Sequence, residues 1–424
     1  MDALDLCVLI CGMRAGVLRR DPRGNLTFHY DSSYQGVPLS LSMPVSNRIY
    51  PDQTIRPYLL GLLPDSEEQR LAIAREYEER ANDPAGLLKH IGLDCPGAVQ
   101  VCDENRVEET RSRVATCRAL TEHEIAERLR VIRMDDDATW MGSSERWSLG
   151  GNQGKFALAW QGSKWCECLG SMPTTHIFKN GVSGFRLEAL NEFVCMRTAA
   201  LLGLPTAHVD YRLFEDEPAI IVRRYDRVRS GNQILRLHQE DMCQALGVPP
   251  QRKYIADGGP SVGDIVSLLK SFANARENVL LFTKMLFFNC AIAAPDAHAK
   301  NYSILLGKAG EALLAPLYDV ASGLAYDSMR RRGRMAMSIG GENRFGRVGS
   351  GAIRRFETTV DPGSLGLNAG FASSIMGELA SRVPECLRVV FDESIDMGVP
   401  DIEELRVRME GPVAENCRML AALL

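Results

Sequence analysis

The rhythm of apolar and polar residues changes several times along this chain, and each change predicts an element. Leu4–Gly12 is almost continuously apolar and reads as a strand, and Leu26–Tyr30 and Val37–Leu41 supply two further short strands. Pro57–Leu63 and then Glu67–Arg80 carry helical spacing, with Asp65 and Ser66 as capping residues. Gly97–Cys102 closes this region as a strand, the charged run Asp103–Arg113 predicts a linker, and Glu122–Ile132 a mixed-charge helix. Beyond Trp147 the pattern becomes glycine-rich, from Ser148 through Gly150, Gly151, Asn152, Gln153 and Gly154, and then alternates. Lys155–Trp160 and Lys164–Leu169 predict strands about a Gln161–Ser163 turn, and Thr174–Lys179 a third strand. Glu188–Leu202 has helical spacing and stops at Gly203, a residue suited to the left-handed helix end. Pro218–Arg224 is a strand rich in isoleucine and valine, and the rest is mostly helical. There Val279–Ile292, apolar nearly all round, predicts a buried central helix.

The order of glycine loop, hairpin, strand ending in lysine, helix, strand and helical half is the layout of an α+β, two-lobed protein-kinase-like fold. Three parts are expected: residues 1–105, residues 106–225 carrying the glycine loop, and a helical part over residues 226–424. No internal repeat interrupts them.

Composition narrows the class. With 424 residues, 45% hydrophobic and 24% charged, the chain is too long for one small module and too apolar for a disordered one. No apolar run reaches the ~20 residues of a membrane span, and Met1–Leu18 lacks the basic start of a signal peptide, so a cytoplasmic protein is expected. A net charge of −5 argues against autonomous nucleic-acid binding, and the clusters Arg330–Arg334 and Arg344–Arg355 read first as solvated surface. Twelve scattered cysteines form no C-x-x-C pair, so free thiols are expected rather than zinc ligands or disulfides. Only nine lysines occur, which gives weight to a lysine inside a motif.

The glycine loop is not a Walker A loop: the residue six before Lys155 is Leu149, and Phe156 stands where a magnesium-binding hydroxyl would follow the lysine. Backbone N–H groups of such a loop can still cradle phosphates. The strongest signal is Asp296-Ala-His298-Ala299-Lys300-Asn301 directly after the apolar helix, where Asn301 stands five residues after Asp296. Phosphoryl transfer needs a carboxylate to take the hydroxyl proton, which Asp296 suits, and a side-chain oxygen to hold magnesium, which Asn301 suits. Eighteen residues further on is Asp319, after Tyr318, beyond two strand candidates (Tyr302–Leu306 and Glu311–Leu314) and where a second magnesium ligand belongs. Lys179 closes its strand where a phosphate-contacting lysine belongs, and Glu188 and Glu192 are its candidate helix partners, Glu192 being favoured.

Taken together these motifs resemble the HipA family, the serine/threonine kinase toxins of type II toxin–antitoxin modules, over nearly the whole chain. The phrases that carry the resemblance include Pro38–Pro44, Gly61–Asp65, Ile91–Ala98, Ser148–Lys155, Pro173–Lys179, Arg224–Arg227, His238–Gly247, Asp296–Asn301 and Tyr318-Asp319. The block ending at Gly247 is the most family-specific, because generic kinase chemistry does not require it. The resemblance implies ATP phosphates against Gly150–Lys155 and Lys179, adenine held by backbone groups of Arg223, Arg224 and Tyr225, and nucleotide contacts around His298, Ala299, Lys300, Asn301, Tyr318 and Asp319. It implies Asp296 as the catalytic residue, Asn301 and Asp319 as Mg2+ ligands, and Ser148 as an autophosphorylation site that silences the enzyme, with Ser143 and Ser144 as neighbouring alternatives. Arg223 replaces a commonly acidic residue and Gly154 a commonly charged one. The implied target is an aminoacyl-tRNA synthetase, notably the glutamyl enzyme. The implied partner is a dimeric helix-turn-helix antitoxin, HipB, through which the toxin reaches operator DNA. Two other readings stay open from the residues alone: a small-molecule phosphotransferase, suggested by the D-x-H-x-x-N variant, and a non-catalytic corepressor.

Overall fold

The computed structural model describes residues 2–112, 116–134, 147–231 and 233–424, which group into two compact units. The first unit comprises Met1–Ser183, Leu213–Arg252 and Ile304–Glu311. Its opening sheet has strands β1 (Leu4–Ile10), β2 (Met13–Arg20), β3 (Leu26–Tyr30), β4 (Ile49–Pro51) and β5 (Val99–Cys102), in the order β4-β3-β2-β1-β5. The hairpin between β1 and β2 turns on Cys11 and Gly12, both with positive φ (53° and 77°), the two-residue geometry that matches the twist of antiparallel strands. The apolar run therefore ends as a strand at Ile10, and Gly12 belongs to the turn. The alternation at Val37–Leu41 does not give a strand. Pro38 lacks a ladder donor, and Met43 N–H donates to the Ser40 carbonyl at 2.9 Å, so this segment is a buried loop.

Helices Asp52–Gly61, Glu67–Glu76 and Pro84–Ile91 accompany this sheet. The first begins five residues before Pro57, which lies inside it, and the second is capped by Ser66, whose hydroxyl accepts from Gln69 N–H at 3.3 Å. Leu6, Val8, Phe28, Tyr58, Leu59 and Leu88 form the centre of the core. The charged stretch after Cys102 is not extended linker in its described part: Glu104–Arg106 is a 3-10 turn and Val107–Ser112 a helix.

A second sheet is built from β6 (Thr116–Ala119), β7 (Lys155–Gln161), β8 (Lys164–Leu169) and β9 (His176–Lys179); β10 (Val209–Phe214) re-enters the unit at Leu213 and leads to β11 (Glu217–Arg223). Its order is β11-β9-β7-β8-β6, with Lys179 opposite both Lys155 and Ile220. Gly162 and Ser163 both have positive φ, so the β7–β8 hairpin repeats the geometry of the first. Phe156 and Phe178 stack with centroids 5.1 Å apart, and the helix Glu122–Met134 contributes Ile125, Leu129 and Ile132 to the same core. The chain after Arg224 is less helical than its sequence suggests, because Arg227–Ser230 and Gln233–Arg236 form a further hairpin.

The second unit comprises Gly184–Arg212, Lys253–Ser303 and Ala312–Leu424. The central helix Ala275–Ala291 buries Phe282, Phe287 and Phe288, and Phe287 packs on Phe356 of the helix Ser350–Val360. Two long helices, Phe371–Asp396 and Ile402–Leu423, complete it, and Asn416 donates to the Cys290 and Ala291 carbonyls at the end of the central helix. The Cys290 carbonyl also accepts from Ala293 N–H at 3.1 Å, so the side-chain amide supplements the last turn of the helix. Among the described residues no helix is long and apolar enough to cross a membrane, and no three metal-ligating side chains of His, Cys, Asp or Glu cluster.

Candidate active site

In the second unit the helix Ala275–Ala291 ends in a tight turn, with Ala293 at φ 53° and Ala294 N–H donating to Asn289 O at 2.8 Å. The chain then folds back on itself around one carbonyl. The Asp296 carbonyl accepts from His298 N–H and from Asn301 Nδ2, both at 2.8 Å. The 3-10 turn Ala299–Asn301 brings the asparagine round, which is the physical content of the five-residue spacing. Asn301 Nδ2 also lies 3.4 Å from the Asp319 carbonyl, so both contacts of the amide nitrogen are to backbone oxygens of the loop. Tyr318 donates to the Lys300 carbonyl at 2.6 Å and shares a 2.6 Å hydrogen bond with Ser303. Asp319 is exposed and left-handed at φ 59°. Ser322 fixes the segment beyond it: its hydroxyl donates to Ile292 O at 2.6 Å, and its backbone exchanges two bonds with buried Asn191.

The carboxylate of Asp296 is 63% exposed, open to a reacting hydroxyl, and accepts from Tyr254 Oη at 2.5 Å. Tyr254 lies 42 residues upstream, and nothing in its sequence context marks it. Its ring meets His298 edge-on at 5.0 Å, and the Lys253 ammonium lies 5.6 Å from the same ring. His298 is buried, and burial pushes its imidazole down, which keeps it neutral. Its Nε2 is 3.9 Å from Asp296, too far for a hydrogen bond. Ala299 and Lys300 are likewise buried. The donor set of Asn301 and Asp319 is all oxygen and fits a hard divalent cation such as magnesium.

In the first unit the glycine loop runs from Ser148 to Lys155. Gly151 has φ 96°, and a Cβ there would come within 2.6 Å of Lys155 Nζ, which caps the Gly150 carbonyl at 2.8 Å. Asn152 is exposed, Gln153 partly exposed and Gly154 buried. Ser148 is only 1% exposed, and its hydroxyl donates to Leu62 O at 2.5 Å. Ser143 and Ser144 lie outside the described residues. Lys179 is buried at the end of β9. In the second unit Glu192 is buried while Glu188 is partly exposed.

The segment Arg223–Tyr225 has a second role that its sequence does not announce. Arg224 N–H donates to Thr175 O at 2.9 Å, and its guanidinium turns inward to Asp94, Thr174, Asp226 and the Cys95 carbonyl. Arg227 and Arg236 reach the other oxygen of Asp94, each at 2.9 Å. Arg224 is thus a structural residue, Tyr225 donates to Gln239 at 2.7 Å, and Arg223 alone of the three is exposed.

The loop that Asn301 closes on Asp296 in the second unit, and in the first unit a glycine loop followed by a strand ending in Lys179, are features of a protein-kinase-like fold. Comparison with known proteins agrees. The HipA-like C-terminal domain model matches residues 147–387, and the HipA N-terminal domain model matches residues 6–102. The protein Y4mE of Sinorhizobium fredii is 34% identical over 78% of this chain and 79% of its own length. The serine/threonine-protein kinase toxin HipA of Shewanella oneidensis is 30% identical over 85% of this chain and 83% of its own. In structure, the chain is similar to a Shewanella oneidensis HipA solved with HipB and its operator DNA, at TM-score 0.83 and 23% identity, covering 99% of this chain and 98% of that one. The chain belongs to the HipA family, and it is a kinase.

Proposed function

We propose that the chain transfers the γ-phosphoryl group of ATP to a serine or threonine hydroxyl of a protein, as the toxin of a toxin–antitoxin pair. The observation that carries this reading is the loop closed by Asn301 on the Asp296 carbonyl, which holds an exposed carboxylate at the end of the central helix. Asp296 orients the attacking hydroxyl and takes its proton. Asn301 and Asp319 hold Mg2+, which when bound neutralises phosphate charge. Gly150–Lys155 and Lys179 receive the phosphates, and Arg223 to Tyr225 border the adenine through backbone groups other than the Arg224 amide. The target is an aminoacyl-tRNA synthetase, with the glutamyl enzyme first to be tried. A dimeric HipB-like antitoxin is the partner, and it carries this acidic chain to operator DNA, all in the cytoplasm. The first 105 residues form one functional part, residues 106–225 the nucleotide part and residues 226–424 the catalytic part.

Ser148 is the proposed autophosphorylation site. Its hydroxyl is buried against Leu62 O, so a dianionic phosphate could not stay there and the loop would have to leave. Intact mass after incubation with magnesium and ATP tests the proposal, on wild type and Asp296→Asn. One added phosphate mapping to Ser148 in wild type alone is expected. A wild-type protein that binds no ATP and transfers no phosphate to itself or to a synthetase would refute it.

A further inference from the structure

Residues 148–152 of the glycine loop are held by the first hundred residues of the chain as well as by Lys155 of the sheet that carries the loop. Ser148 N–H donates to Asp94 O at 3.0 Å, and its hydroxyl to Leu62 O at 2.5 Å. Asp65 N–H donates to Gly151 O at 3.2 Å within a parallel bridge between Pro64 and Gly151, and Gln69 Nε2 donates to Asn152 O at 3.2 Å. The holding segment is itself stiff: buried Arg70 binds the Pro64 and Asp65 carbonyls at 2.7 and 2.8 Å. It is also anchored. The Leu39 carbonyl meets His238 Nε2 at 3.0 Å, Leu41 N–H donates to Glu240 at 2.7 Å, and Gln244 Nε2 donates to Tyr58 O at 3.1 Å. The His238–Gly247 block, which phosphoryl transfer does not require, therefore has a physical task.

A loop with three glycines in five residues has much backbone freedom to lose when it closes over phosphates. Ordering it in advance removes part of that cost from nucleotide binding. We propose that the N-terminal hundred residues are a built-in clamp that presets the glycine loop, with Gln69 as a positioning residue for ATP outside the kinase motifs. This rests on the kinase reading.

The test uses the full chain as wild type and Gln69→Met, which keeps side-chain length and removes the donor. Affinity for the magnesium complex of adenylyl imidodiphosphate is measured by calorimetry. Hydrogen exchange of the Asp65 amide is followed without nucleotide, alongside the melting temperature. Loss of one neutral hydrogen bond predicts about 2–12-fold weaker nucleotide binding. Faster exchange at Asp65 should accompany it, at a melting temperature close to wild type. A purely structural glutamine would instead lower the melting temperature and leave affinity and Asp65 exchange unchanged, which overturns the proposal. If wild type binds no nucleotide, the kinase reading fails, and the exchange arm still decides the clamp: unchanged Asp65 exchange sinks it, faster exchange upholds it. Should Gln69→Met not fold, Arg70→Gln, which frees the Pro64 and Asp65 carbonyls, carries the same comparison.

Discussion

Asp94→Asn should strongly destabilise the first unit. Asp94 is 2% exposed and accepts from Arg224, Arg227, Arg236 and both the backbone and hydroxyl of Thr174. With Asp226 it sets two carboxylates among three buried guanidiniums, and those cations hold its carboxyl far below the ordinary carboxylate range despite burial. The amide keeps the shape but removes one of the two negative charges, leaving buried guanidiniums undercompensated. Breaking a buried pair from one side costs about 3–5 kcal/mol, and a domain of this size shifts about 2–4 °C per kcal/mol, so the melting temperature should fall by about 6–20 °C. The pH dependence has a definite sign. A depressed carboxyl contributes its stability above the unfolded value and loses it only as pH falls through the folded one. The gap between wild type and variant in thermal scans should therefore stay constant from pH 8 to 5 and narrow below about pH 4. A gap under 2 °C at pH 7, or one that widens on acidification, would refute the reasoning.

Other outcomes follow from the same geometry. Tyr254→Phe removes the 2.5 Å bond to Asp296 and should lower turnover about ten-fold with the KM for ATP unchanged, read by initial rates at varied ATP; a shift in KM alone contradicts the assignment. Glu240 is fully buried, and burial raises its carboxyl to about 8, so the folded form keeps a proton that the unfolded chain gives up near pH 4.5. Wild type should lose stability from about pH 4.5 to 8, and Glu240→Gln should remove that loss, its advantage in thermal scans growing with pH across the window. An advantage independent of pH counts against the protonated form. Asn301→Leu, which deletes the proposed cation ligand, should raise the magnesium concentration needed for half-maximal activity and leave the melting temperature within a few degrees; an unchanged requirement removes Asn301 from the metal site.

Much of the fold was legible because local chemistry decides it. Leu26–Tyr30 and Lys164–Leu169 are strands over the bounds their alternation predicts, and the helix starting at Glu188 ends at Leu201, just before Gly203 at φ 83°. The loop of Asp296 and Asn301 was legible for the same reason, since both residues lie within one turn of chain. What stayed hidden depends on distant partners. Ile91–Ala98, Arg224–Arg227 and His238–Gly247 are recognisable phrases, yet only the fold shows that they bind one another through Asp94, Gly97 and Ala98. Tyr254 was missed because a tyrosine after a lysine has no pattern of its own. Val37–Leu41 misled because its apolar alternation does not follow burial: Ser40 is fully buried with Val37 and Leu39, while Leu41 is only partly so.

The Asp94 cluster bears on how the chain leaves the ribosome. The arginines that neutralise Asp94 follow it by 130, 133 and 142 residues. At roughly 5–20 residues per second the nascent chain must carry that carboxylate without them for about 7–28 s. Only then can the N-terminal sheet lock onto the second sheet, and Asp296 is still unmade. Synthesis therefore completes the contacts that hold residues 148–152 before Asp296 exists.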